Sequence, residues 1–260
     1  MRTSGLCVAL GLILAVSGVA SATISYDAEV TPPTSMIFGT GNNNGFFTVD
    51  SRNNVEIGLR AKLRKQGVYN SNGDGSYSFA TGYYPATDLA IWNFEWTVNT
   101  DLEQVGTQPG RPVNALTYEL GLDFDPGIGT DYLKFDPINL PVADHSFGTN
   151  ATLNGQGVEA NPNGDLAIQV PLYGTYLSTY NVVQQSWNME WFDDANPFDA
   201  ANVGTYEIYL AAFDGQTEVA RSAITVEVGG GAAVPEPMTM AGLFMGVASL
   251  AGYIRKRRMA

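Results

Sequence analysis

From residue 55 the chain alternates strictly. Val55, Ile57, Leu59, Ala61 and Leu63 fall on one side of an extended backbone, and Glu56, Arg60, Lys62 and Arg64 fall on the other. Successive side chains of a strand point to opposite faces, so this period marks a strand with one face on a core and one in water. The same reading places strands at residues 24–30, 46–50, 77–80, 89–98, 116–124, 132–135, 166–170, 206–212 and 223–228, separated by clusters of Gly, Asn, Asp and Pro. Between the two ends of the chain no long run keeps the 3.6-residue period of an amphipathic helix, so the crossover helices of a parallel α/β sheet are missing. Many short strands with turns between them predict an all-β fold, an antiparallel β-sandwich of jelly-roll type.

The two ends are apolar. Arg2 precedes an apolar run from Leu6 to Val19, and Ala20-Ser21-Ala22 has the small-x-small pattern that signal peptidase cuts. Residues 1–22 are therefore expected to be a signal peptide, residues 23–233 an exported domain, and residues 234–260 a tail. Cys7, the single cysteine, would leave with the signal, so the mature protein would have no disulfide. In the tail, residues 238–254 are apolar and about 25 Å long as a helix at ~1.5 Å per residue, which is just enough for a single transmembrane helix. Arg255, Lys256, Arg257 and Arg258 follow as the membrane stop, and the positive-inside rule leaves the domain on the far side of the membrane.

Pro235-Glu236-Pro237, the apolar segment and the terminal basic residues, in that order, resemble the PEP-CTERM sorting signal of surface proteins from Gram-negative bacteria that make extracellular polysaccharide. The stretch from Trp187 to Val228 is similar to the last strands common in such proteins. The resemblance implies a precursor anchored in the inner membrane, cut by an exosortase near Pro235, Glu236 and Pro237, and passed to the cell surface or extracellular matrix. It names no reaction. An ice-binding face needs a regular array of threonines, and the chain has none.

Composition narrows the function. Of 13 basic and 26 acidic residues, Arg2, the four terminal basic residues and Glu236 lie outside the exported domain, which leaves it eight against 25. A segment this acidic is not expected to bind nucleic acid, whose affinity comes from clustered Lys and Arg. One histidine and one cysteine make no Cys/His zinc site. We expect a non-catalytic surface or matrix component that contacts extracellular polysaccharide or other surface proteins.

Several residues are candidates for a site. In Trp92-Asn93-Phe94-Glu95-Trp96, alternation puts the three rings on one face, and Trp187-Asn188-Met189-Glu190-Trp191 repeats the pattern. Trp92, Trp96, Trp187 and Trp191 could stack on sugar rings as a carbohydrate-binding module; the alternative is that they are core. Each copy precedes a second matching strand, at Thr117-Tyr118-Glu119-Leu120 and Thr205-Tyr206-Glu207-Ile208, which predicts two similar hairpins. Glu95 and Glu190 would face the other way, where a pair of carboxylates can serve a glycoside hydrolase. Asp123, Asp125 and Asp131, and Asp193, Asp194 and Asp199 with Asn196, bring hard oxygen donors to loops and are the calcium candidates. The run from Asn70 to Gly75 has the rhythm of half a calcium loop, but Thr81 stands where the twelfth-position acid belongs, so a plain turn is expected. His145, beside Asp144 and Ser146, reads as a surface histidine in a polar loop and not as part of a triad.

Overall fold

Turn-forming residues punctuate the chain into twelve strands and one α-helix among the described residues of a computed structural model. Those residues are 24–32, 36–106, 110–140, 144–160, 164–192 and 197–230. The expected signal peptide, the sorting motif, the apolar segment 238–254, the basic terminus, Asp193 and Asp194 lie outside them. Among the described residues no helix is long and apolar enough to cross a membrane.

In chain order the strands are β1 (Ile24–Ala28), β2 (Phe47–Arg52), β3 (Val55–Leu63), β4 (Ser76–Phe79), β5 (Trp92–Asn99), β6 (Thr117–Asp123), β7 (Tyr132–Phe135), β8 (Ser146–Gly148) and β9 (Val158–Glu159). Helix α1 (Leu166–Thr179) follows, then β10 (Val182–Trp187), β11 (Gly204–Asp214) and β12 (Thr217–Val228). One sheet has the order β1-β2-β3-β5-β10-β8-β9 with every neighbour antiparallel, and the other has the order β4-β12-β11-β6-β7. The all-β expectation stands, with one departure from an antiparallel sandwich: β4 runs parallel to β12, Ser76 beside Thr225 and Phe79 beside Val228. A tight hairpin forces antiparallel pairing, but these strands are joined through most of the domain and are free to run together.

The sheets share one core. Ile57, Leu59, Trp92, Phe94 and Trp96 of the first sheet belong to the same buried cluster as Tyr206, Ile208, Leu210, Ile224 and Val226 of the second. Ring contacts cross the gap, with Trp92 6.5 Å from Tyr206 and 6.1 Å from Phe79, centre to centre. Each large aromatic side chain buries about 150–250 Å², so such contacts weigh heavily in this core.

Three expectations are corrected. β3 is not half-exposed: Glu56, Arg60 and Lys62 are as buried as the apolar residues between them. The segment before β2 lies over that outer face, where Val30, Met36, Phe47 and Val49 make a second apolar cluster. Gly58 leaves room for it, because a Cβ there would come 2.6 Å from Val30 Cγ1. Residues 166–170 are the start of α1, not a strand. Asp165 caps it, its carboxylate accepting from Ala167 N at 2.9 Å, and Tyr173 and Leu177 anchor the later turns in the core. The alternation of Leu166, Ile168 and Val170 that imitates a strand sits on exposed helix surface.

The repeat does not fold as two hairpins either. Its first copy is β5, but the second leaves β10 at Trp187 and enters a 3-10 turn, Met189–Phe192. Asn188 causes the break. Its side-chain amide donates to Ala90 O, Trp92 O and Asn93 Oδ1 at 2.9–3.0 Å and accepts from Ala90 N at 3.1 Å, so the residue is bound into the start of β5. The two copies are neighbours in one sheet, with Phe94 opposite Trp187.

Candidate functional site

Alternation does send Trp92, Phe94 and Trp96 to one face, and that face is the core. Trp92 and Trp96 are fully buried, and Trp187 is 5% exposed with its ring 5.5 Å from that of Trp96. These three tryptophans form no accessible platform, which removes the four-tryptophan strand face as a sugar-stacking surface. Trp191 is different. It is 49% exposed, beyond the end of β10, with the Arg64 guanidinium 5.5 Å from its ring.

Glu95 and Glu190 are not brought together as an acid and base pair. Glu190 lies in the 3-10 turn, where its carboxylate accepts from Ala200 N at 3.3 Å. Glu95 points to the outer face of β5, into an ionic cluster in which it and Arg60 are fully buried and Lys62 reaches the surface. Its Oε2 takes Arg60 Nε at 2.7 Å and Arg60 Nη2 at 2.6 Å, and Lys62 Nζ pairs with its Oε1. Strand register builds this cluster, since Arg60 stands directly opposite Glu95, with Lys62 one residue pair along on the same face. Phe47 and Tyr69 cover the guanidinium at 4.2 and 4.5 Å, and its Nη1 donates to Asn43 O and Gly45 O at 2.9 and 2.7 Å. Glu56, at the far end of the same strand face, accepts from Thr31 N at 2.7 Å, and burial pushes its carboxyl up.

Above Lys62 the surface opens into a cleft of about 420 Å³. Residues 40–43 form one wall and the turn after β3, residues 65–67, the other, with Lys62 and Tyr69 between them. Asn154 fixes the first wall: its side chain donates to Met36 O at 2.9 Å and Asn42 O at 3.2 Å and accepts from Gly41 N at 2.8 Å. The second wall closes through Leu63 N to Val68 O at 2.7 Å, and Lys65 takes a left-handed backbone there, φ 57°. Next to the cleft, Lys65 and Arg64 both lie over Tyr84, at 5.7 and 5.6 Å, and Arg64 extends the contact to Trp191. The lining holds two lysines and no carboxylate.

The remaining candidates among the described residues are engaged within the fold. Asp123 is buried, and its Oδ1 accepts from Asp125 N at 3.0 Å and Asp131 N at 2.8 Å, while Oδ2 accepts from Glu207 N at 3.4 Å. Asp125 in turn accepts from Gly127 N at 2.8 Å. These carboxylates hold backbone N–H groups of the β6–β7 loop and of β11, and among the described residues no group of three His, Cys, Asp or Glu side chains is placed to hold a metal ion. Asp199 accepts from Tyr83 Oη at 2.7 Å and Ala201 N at 2.8 Å, which holds its carboxyl below the ordinary range. Asn70 to Gly75 make the expected turn, with Asp74 accepting from Ser76 N at 3.0 Å. His145 is corrected from surface to core: it is fully buried, its Nε2 donates to Pro137 O at 2.7 Å, and Trp96, Trp187 and Tyr173 surround its ring at 5.1–5.8 Å.

Alternation alone did not find the cleft, because its walls are loops. One signal was present nonetheless: of the eight basic residues in 23–233, Arg60, Lys62, Arg64 and Lys65 fall within six positions. No protein-family model, curated protein or solved structure matches this chain.

Proposed function

We propose that the chain is an exported, non-catalytic component of the cell surface or extracellular matrix, sorted through a PEP-CTERM tail and adhesive within a polysaccharide matrix. The tail carries the reading: Pro235-Glu236-Pro237, an apolar segment and four basic residues stand in the order that such sorting requires. The all-β domain fits it, because a rigid two-sheet body with an aromatic core needs no cysteine to persist outside the cell. In the same proposal the sandwich is of jelly-roll type, a reading supported by the repeated passage of the chain between sheets, from β3 to β4, β4 to β5, β5 to β6, β7 to β8 and β10 to β11.

The test is to express the chain in a host with an exosortase and in the same host lacking it, and to weigh the product. Loss of about 25 C-terminal residues only with the enzyme, and retention of the tail when Pro235, Glu236 and Pro237 are all changed to alanine, are expected. An identical mass in both hosts overturns the sorting assignment.

A further inference from the structure

The cleft over Lys62 sits on an unbalanced buried charge. Arg60 and Lys62 bring two positive charges to one carboxylate, Glu95, and the side chain of Lys62 is only 8% exposed. An ammonium has three donors. Two are taken, by Glu95 and by Asn42 Oδ1 at 2.8 Å, the Phe38 ring lies 5.8 Å from the nitrogen, and the group lines the cleft. A surplus charge held away from water is costly unless a counter-charge approaches it. Lys65 adds a second ammonium at the rim, on a backbone conformation that lysine rarely adopts. This occurs in a domain that is strongly acidic, where four of the eight basic residues fall at positions 60 to 65, so positive charge is concentrated here.

The rest of the lining offers uncharged polar groups. Asn43 and Gln66 carry amides that both donate and accept, which suits hydroxyl groups, while the amide of Asn42 is held between Lys62 and Phe38 O. The volume lies within the usual span of small-ligand sites, about 300–1,000 Å³. Trp191, which is exposed, and the partly buried Tyr84 continue the surface beside Arg64 and Lys65.

We infer that the cleft binds a carboxylate-bearing sugar unit of an acidic polysaccharide, its carboxylate on Lys62 and Lys65 and its hydroxyls on the Asn43 and Gln66 amides. The inference rests on the polysaccharide contact proposed above and names the class of sugar and the place where it binds. An all-neutral glycan leaves the surplus charge unanswered, and a simple anion leaves the amides unused.

The experiment is calorimetric titration of the full chain in mild non-ionic detergent with tetragalacturonate, with a neutral galactose tetramer and a tetraglutamate peptide as comparisons. Saturable binding of the acidic sugar alone is expected, weakened about tenfold or more in Lys65→Glu and unchanged in Lys134→Glu, which inverts an exposed charge on the other sheet. Gln66→Ala, an exposed change that spares the ionic cluster, is expected to weaken the sugar severalfold and leave the fluorescence of the buried tryptophans untouched. No binding of tetragalacturonate, equal binding of the neutral tetramer, or equal binding of tetraglutamate each overturns the inference. The parent reading fails separately, since sorting is read from the mass of the product and does not depend on this titration.

Discussion

Replacing Glu95 by alanine isolates the ionic cluster under the cleft. The carboxylate is fully buried and is shared by Arg60 and Lys62, so its loss leaves two buried cations without their counter-charge. Breaking a buried ion pair from one side costs ~3–5 kcal/mol. Arg60 keeps the carbonyls of Asn43 and Gly45 and its two aromatic neighbours, which places the expected loss near the lower end, about 3 kcal/mol. In urea, with a slope of ~2–3 kcal/mol per molar for a domain of this size, the unfolding midpoint should fall by about 1–1.5 M. Equilibrium unfolding of the full chain in non-denaturing detergent, followed by the emission of the buried tryptophans, reads this directly. The triple change Arg60→Met, Lys62→Met and Glu95→Leu removes all three charges and is expected to recover most of the loss. A midpoint within about 0.3 M of the parent for Glu95→Ala, or a triple variant weaker than the single one, refutes the reasoning.

Asp123→Ala leaves two N–H groups of the β6–β7 loop and that of Glu207 in β11 without this acceptor, and a loss of about 3 kcal/mol, or ~6–12 °C in the thermal midpoint, is expected; a shift under 2 °C would show that the carboxylate is dispensable. The hydrogen bond to Asp199 pushes the Tyr83 phenol up to about 12, and burial pushes those of Tyr77 and Tyr206 to about 12. A raised phenol favours the neutral folded form, so this contribution is complete below the ordinary value of 10 and fades as pH rises through 12. In Asp199→Ala, absorbance at about 295 nm should show one tyrosine moving back towards 10, and an unchanged titration counts against that bond. Gly58→Ala forces a methyl group against Val30 and Thr97 and should cost ~1–3 kcal/mol, with faster amide exchange over residues 28–31 and 36–47 than elsewhere; uniform exchange would mean that these residues do not depend on close approach at Gly58.

Legibility varied with how local each feature was. Tyr132–Phe135, the bulk of β1, β2, β3, β4, β5, β6 and β11, and the second half of β12 could be read from alternation and turn residues, because both are properties of a few consecutive positions. The burial of Trp92 and Trp96 was one of two readings that alternation left open. A period of two says that side chains share a face and not what lies over it. Coverage is set elsewhere in the chain, which is why Glu56, Arg60 and Lys62 looked solvated and are buried under a segment that precedes β2. The same limit hid α1, whose apolar alternation faces water, and the end of β10, where Asn188 answers to the backbone of β5 about 95 residues earlier. Near-identical pentapeptides thus became a strand and a turn. Their partners differ, and a backbone hydrogen bond is formed with whatever the fold brings alongside. The cleft is the extreme case, since its two walls are loops that share no pattern and meet only because Asn154 ties down one and the end of β3 turns into the other.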